Sequence, residues 1–293
     1  MIPDHVMDEL RYVEMYAAKK IHSLRAGVHA SRLRGSGFDF QELRPYRPGD
    51  DVRAIDWSVT ARMNAPFVRE MRAECELDVM IALDVSRSME LGSSHVSKKE
   101  ALAVITASLL FSALSDQVNT GFLAFADRVV DFHPPRRART DNWVILERLW
   151  ALAPQPGRTM LKPAVRALNN RLKRVTVVFL VSDFMTDEDV FDGGDLSVLA
   201  ARHDVIAVVP EDPAESSLPS GPGSLRLRDL ESGRAMTVGL SPDAREAYGE
   251  RARQHRDQLT RGFYRVPMDY VFVRTDKNPV EQLMSLLASR LKA

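Results

Sequence analysis

Two runs dominate the hydropathy pattern of this chain. Leu77–Leu83 (LDVMIAL) is apolar at every position except Asp78, and Val175–Val181 (VTVVFLV) is apolar except for Thr176. Continuous apolar runs this short predict central strands buried on both faces. Asp204–Val209 (DVIAVV) and Tyr270–Val273 predict two more strands. Helical signals fall between them. Ser97-Lys98-Lys99-Glu100 reads as a capping box that opens a helix through Leu114. Val118–Phe125 and Arg128–Phe132 predict strands joined tightly around Ala126-Asp127. Helices are expected over Asn142–Leu152, Leu161–Leu172 and the stretch through Leu196–Arg202.

Pro210–Gly223, rich in Pro, Ser and Gly, predicts a surface loop. After it, Ser224–Leu230 and Ala235–Leu240 flank Glu231-Ser232-Gly233-Arg234 as an inserted hairpin, about residues 224–240. Ser241-Pro242-Asp243 supplies a cap, a proline in the first turn and an acid beside it, and so starts a long helix to Gly262. Pro279–Leu291 predicts the last helix. Alternation of this kind over residues 77–293 predicts an α/β domain with a doubly wound, mostly parallel sheet. Residues 1–76 differ in kind. Asp8–Leu24 predicts an amphipathic helix, and Arg25–Arg72, with nine arginines, reads as a loop- and strand-rich subdomain.

Composition narrows the function classes. Forty basic residues balance forty acidic ones, whereas a chain that coats nucleic acid or an anionic membrane is usually clearly basic. Cys75 is the lone cysteine, so no intrachain disulfide can form. Ala101–Leu114 is the longest apolar run, well short of the roughly twenty residues that span a bilayer. No signal-peptide core follows Met1. A cytoplasmic protein without a membrane span is therefore expected.

The candidate chemistry lies where the first buried strand ends. Asp84-Val85-Ser86-Arg87-Ser88 occupies the carboxyl end of that strand, where open α/β sheets bind ligands. Its carboxylate and hydroxyl oxygens suit a hard cation. Asp183 ends the second buried strand at the same sheet edge, and Thr159 lies in a loop that opens a helix. Each has a plainer use: Asp84 and Ser86 could cap the following helix, Ser88 could be a loop hydroxyl, and Thr159 could be a helix cap. Asp183 is the hardest to explain that way, because a charge on a buried strand wants a cation.

Asp84, Ser86, Ser88, Thr159 and Asp183, in this order on three loops, resemble the metal-ion-dependent adhesion site of von Willebrand factor A domains. Upstream, Phe38-Asp39-Phe40, Leu43 to Arg53 (LRPYRPGDDVR), Ile55-Asp56-Trp57, Thr60-Ala61-Arg62 and Val68-Arg69-Glu70 resemble the signature of the family catalogued as domain of unknown function 58. The likeness extends over most of the chain, the hairpin around Asp229 to Arg234 included. Arg158 departs from the wider pattern, where a glycine is usual before the site threonine.

The resemblance implies a von Willebrand factor A-like fold and a bound Mg²⁺ (or Mn²⁺ or Ca²⁺). It also implies association with a MoxR-type AAA+ ATPase. The leading expectation is a non-enzymatic, metal-dependent interaction module whose protein partner supplies an acidic side chain to the metal. Arg44, Arg47, Asp50, Asp51, Arg53 and Asp56 are the candidate partner-binding residues. They could equally pair with one another and pin the subdomain, and Trp57 reads as core. A metal-dependent phosphohydrolase is the second reading. Against it, the position two residues after Asp84 is Ser86, where phosphatases of the haloacid dehalogenase type need an acid, and no lysine is evidently placed for phosphate. Nucleic-acid binding through the arginine-rich segment is the third, but Asp39, Glu42, Asp50, Asp51, Asp56 and Glu70 interleave with its arginines.

Overall fold

The computed structural model describes residues 2–4, 6–8, 10–12, 39–63, 65–72, 77–93, 96–115, 118–136, 142–152, 155, 158–192, 194–228, 230 and 235–290. The chain divides into two compact units, Met1–Val28 with Leu77–Ala293, and His29–Glu76. Residues 1–28 thus group with the α/β unit, where the sequence had placed them in a subdomain running to residue 76. Ile2, Val6 and Leu10 are buried apolar positions in this stretch. Most of the helix expected over Asp8–Leu24 lies outside the described residues.

The smaller unit holds strand β1 (Asp39–Pro45), helix α1 (Trp57–Met63) and strand β2 (Phe67–Arg72), with β1 and β2 antiparallel. Its turns are built by acids. Asp51 accepts the Arg53 N–H at 2.9 Å, and Asp56 accepts the N–H groups of Ser58 and Val59 at 3.0 and 3.1 Å. The unit corrects one expectation: Trp57 is 67% exposed rather than core, on a seven-residue helix that buries no side chain.

The larger unit is a six-stranded sheet between helices. In chain order its elements are β3 (Asp78–Asp84), α2 (Lys98–Ser115), β4 (Asn119–Phe125), β5 (Val129–Arg136), α3 (Asn142–Ala151) and α4 (Leu161–Arg171). Then come β6 (Thr176–Val181), α5 (Asp195–Arg202), β7 (Asp204–Glu211), α6 (Pro213–Ser216), the hairpin β8 (Ser224–Arg228) and β9 (Ala235–Gly239), α7 (Pro242–Arg265), β10 (Asp269–Arg274) and α8 (Pro279–Arg290). The sheet order is β10-β7-β6-β3-β4-β5, parallel throughout except for the β4–β5 pair.

Alternating strand residues feed opposite faces of this sheet. Met80 and Ala82 of β3, Val178 and Leu180 of β6 and Val205 and Ala207 of β7 pack with Leu161, Val165 and Leu168 of α4, Leu196 and Leu199 of α5 and Phe263 of α7. α2 is apolar nearly all round, as suits a buried helix, and its Ala101, Val104, Ile105 and Leu109 are buried. The Ser97 capping box forms as expected: Glu100 accepts the Ser97 N–H at 2.7 Å, and Ser97 Oγ accepts the Glu100 N–H at 3.2 Å.

The stretch from Pro210 is not the simple loop expected. β7 continues through Pro210 to Glu211, past Val208, the last residue that pairs with β6. Asp212 and Glu215 then form a capping box on α6, and Asp212 is buried.

From β3 the chain lays β4 and β5 on one side, then crosses back to lay β6, β7 and β10 on the other. The switch point of this doubly wound sheet therefore falls between β3 and β6, with a crevice beyond their carboxyl ends.

Candidate metal centre at the sheet switch point

The two strands that flank the switch deliver Asp84 and Asp183. Asp84 closes β3, and the parallel register pairs Leu83 with Val181, which sets Ser182 beside Asp84. Ser182 Oγ donates to Asp84 Oδ2 at 2.7 Å, while Asp84 Oδ1 accepts the Ser86 N–H at 2.9 Å. Ser86 Oγ lies 3.0 Å from Ser88 Oγ and accepts from Thr159 Oγ1 at 3.0 Å. Asp84, Ser86, Ser88 and Thr159 thus form one hydrogen-bonded chain. All are buried but Ser88, which is half-buried at its outer end.

Backbone contacts fix these loops. Gln155 N donates to Val85 O at 3.0 Å and Met160 N to Ala126 O at 2.9 Å, so the Thr159 segment is tied to the ends of β3 and β4. Thr159 is not a helix cap. Met160 holds that position without a side-chain bond, and Glu188 instead accepts the N–H groups of Leu161 and Lys162 at 2.5 and 3.1 Å. A carboxylate from another loop satisfies the first turn of α4, and the Thr159 hydroxyl faces Ser86. Arg158 pairs with exposed Asp187.

Asp183 is shaped by a tight turn. Its Oδ1 accepts the Met185 N–H at 3.1 Å, and Ser182 Oγ accepts the Phe184 N–H at 3.1 Å. Phe184 has φ 55°, the left-handed region that a bulky residue rarely adopts. Its ring is anchored against Phe191 and Phe263, 6.4 and 5.2 Å away between centroids. Local strain sustained by surrounding packing is typical of functional sites.

The electrostatics set Asp84 apart from Asp183. Lys98, fully buried at the start of α2, donates from Nζ to Asp183 Oδ2 at 3.1 Å and also to Glu215. Burial works against its charge, but the two carboxylates outweigh that and hold Lys98 above its ordinary value. Burial likewise pushes Glu215 up, although Lys98 opposes it. Asp84 has no ion pair among the described residues. Burial first, and then the charge of Asp183, push it up to about 7, against the hydrogen bonds from Ser182 and Ser86. Three clustered carboxylates with one ammonium leave an excess of two negative charges when all are ionised. A divalent cation matches that excess, and the hard oxygen donors suit Mg²⁺ or Mn²⁺ better than Zn²⁺. Among the described residues no three His, Cys, Asp or Glu side chains converge as a metal cluster, so any ion held here relies on the hydroxyls.

Three parts of this site were not singled out in the sequence. Ser182 orients Asp84, Glu188 caps the first turn of α4, and the Lys98–Glu215 pair supplies an internal counter-charge. The capping box gave the place of Lys98 on α2 but not its burial.

The candidate partner-binding residues lie in the smaller unit. Arg44 grips Asp50 through two bonds of 2.7 and 2.8 Å, and Asp50 also accepts the Arg47 N–H at 2.8 Å. The Arg44 hydrogen bond, then the Arg47 amide, hold Asp50 down at about 2. Asp51 and Asp56 are engaged in the turns described above. Arg47 and Arg53 are exposed.

A family profile described as protein of unknown function DUF58 matches residues 42–258. The uncharacterized protein Rv1480 of Mycobacterium tuberculosis (strain ATCC 25618 / H37Rv) is 29% identical over 283 residues, covering 96% of this chain and 88% of that protein. Among solved structures, an aerotolerance-related membrane protein from Bacteroides fragilis NCTC 9343 is similar with a TM-score of 0.46 at 18% identity, covering 74% of this chain and 100% of that one. A von Willebrand factor type A protein from Catenulispora acidiphila gives a TM-score of 0.42 at 9% identity, covering 75% and 43%. The fold is mixed α/β with a mostly parallel central sheet, and the profile match over most of its length makes this chain a member of the DUF58 family.

Proposed function

We propose that this chain is a non-enzymatic, divalent-metal-dependent protein-interaction module. One observation carries the reading: at the switch point a buried carboxylate without a cationic partner among the described residues, Asp84, shares a hydrogen-bonded chain with three hydroxyls and lies within the field of Asp183. Asp84, Ser86, Ser88, Thr159 and Asp183 would hold the ion. When bound, it supplies a Lewis-acidic point at the rim that an acidic side chain of a protein partner can complete.

The surrounding groups fit binding better than catalysis. Among the described residues Ser86 is hydrogen-bonded to Ser88, Thr159 and the Asp84 carboxylate, with no histidine in that chain of contacts. Lys98 is committed to two carboxylates and sealed from solvent, which leaves it unavailable to a phosphoryl group. The arginine-rich segment neutralises part of its own charge through Arg44 and Asp50, which disfavours nucleic acid.

The partner is a MoxR-type AAA+ ATPase, for which the module acts as adaptor in assembly or maturation of other proteins; the sequence resemblance supports this part. In the smaller unit, exposed Arg47 and Arg53 are further candidate partner contacts. The test is affinity capture from native lysate in Mg²⁺ and in EDTA, with Ser88→Ala as control. Recovery of an AAA+ ATPase in Mg²⁺ alone, reduced by Ser88→Ala, supports the proposal. Capture indifferent to EDTA and to Ser88→Ala contradicts it.

A further inference from the structure

Beside the candidate metal centre runs a groove of about 920 Å³ that the interaction reading leaves unused. Ser88 stands at one end. The walls carry Leu91 and Met185 from the strand-end loops and Leu227, Leu230 and Met236 from the β8–β9 hairpin. Its size falls within the range of clefts that seat ligands, roughly 300–1,000 Å³.

Its chemistry selects an occupant. Among the described residues no Lys or Arg lines it, so these offer no cation to a phosphate or a nucleic-acid backbone. Of the acids among its described residues, Glu215 is paired with Lys98 and Asp187 with Arg158, so neither stands as an unopposed charge against an incoming carboxylate. Met236 is 62% exposed and Met185 43% exposed, a costly presentation of large apolar side chains. Thioethers adapt to varied apolar partners. His255 and Tyr248 also line the groove.

We propose that this groove seats an extended segment of a partner protein in which an Asp or Glu is followed or preceded, within two residues, by a large apolar side chain. The carboxylate meets the Ser88 end, and the apolar side chain lies against Leu227, Leu230, Met236 and Met185. The hairpin thereby sets specificity while the switch-point site sets metal dependence. This rests on the interaction reading above and adds the sequence class of the segment recognised. Apolar side chains at consecutive positions of an extended peptide point to opposite sides, so neighbours at one or two residues are the ones that can reach a wall while the acid reaches the rim.

The test uses the full chain and a phage-displayed library of random linear heptapeptides, selected in MgCl₂ and eluted at low pH. Enriched peptides are synthesised and their affinity measured by fluorescence polarisation for wild type, Met236→Lys, Met236→Leu and Asp84→Asn. The expected result is enrichment of an acid paired with Leu, Ile, Met or Phe. Binding should weaken roughly tenfold or more in Met236→Lys, survive in Met236→Leu, and fall in EDTA and in Asp84→Asn. Met236 is exposed, so Met236→Lys should keep the wild-type melting temperature.

Acid-only peptides indifferent to Met236→Lys overturn the groove and leave the metal reading standing. Peptides lost in Met236→Lys but indifferent to EDTA and Asp84→Asn overturn both. Failure to enrich any peptide, or self-association of the chain that Met236→Lys abolishes, overturns the proposal, the latter by placing a second copy in the groove.

Discussion

Replacing Lys98 with Met probes the electrostatic core of the site. The methionine keeps an unbranched apolar stem in a fully buried position and removes the ammonium that lies 3.1 Å from Asp183 and touches Glu215. Both carboxylates stay where they are, with side chains only 4% and 23% exposed, and Asp84 adds a third charge nearby. Breaking one side of a buried ion pair costs about 3–5 kcal/mol. That is a large part of the about 5–15 kcal/mol that holds a typical domain folded. Lys98→Met should therefore remain folded in EDTA but unfold at a much lower urea concentration than wild type.

Magnesium should restore part of the loss. A ligand at about a hundred times its dissociation constant stabilises by about 2.7 kcal/mol, and an ion entering the mutant meets one more uncompensated negative charge. The measurement is urea unfolding of both proteins in EDTA and in MgCl₂. The Mg²⁺-induced rise in unfolding free energy should be larger in Lys98→Met. A mutant with the wild-type midpoint in EDTA would refute Lys98 as counter-ion to Asp183. Equal Mg²⁺ responses would refute its coupling to the metal centre.

Asp84→Asn should change how stability depends on pH in EDTA. With Asp84 raised from 3.8 to about 7, the folded state keeps a proton between those values that the unfolded state has released. Stability of the wild type should therefore fall relative to Asp84→Asn as pH rises through that window, and thermal melts at pH 4 to 8 that run parallel would contradict this. By the same protonation, Mg²⁺ binding to wild type should strengthen as pH rises through about 7 and release protons, as read from calorimetry in buffers of different ionisation enthalpy. Gly121→Ala would put a Cβ 2.6 Å from the His133 carbonyl oxygen and the Pro135 nitrogen. Backbone atoms cannot rotate away, so β5 must shift at a cost of about 1–3 kcal/mol; an unchanged melting temperature would show that β5 is not held that close.

The strands at the switch were legible because burial on both faces leaves an unbroken apolar run, as in β3 and β6. The capping box at Ser97 and the Ser241-Pro242 start of α7 were legible because they are local. Lys98 was not. Its partners lie 85 and 117 residues away in sequence, and a lysine in a charged capping box reads as solvated until the fold closes over it. Glu215 was hidden in a stretch whose Pro, Ser and Gly content reads as loop, although Asp212 and Glu215 form there the same capping pair recognised at Ser97. Thr159 was ambiguous because a hydroxyl before a helix has two uses, and only the carboxylate of Glu188, from a distant loop, decides between them. Trp57 was misjudged because the burial preference of a residue type assumes an element that owns a buried face, which α1 does not have.

The most direct test of the metal centre is titration of Mn²⁺ into the purified chain, following the free-ion signal by electron paramagnetic resonance. Wild type should remove free Mn²⁺ in a saturable manner with one ion per chain, and Mg²⁺ should compete. Ser88→Ala should weaken binding, and Asp84→Ala, checked for folding by its thermal melt, should abolish it at the same concentrations. Saturable binding that is unchanged in folded Asp84→Ala, or a free-ion signal that wild type leaves undiminished, would show that no divalent cation is held at the switch point.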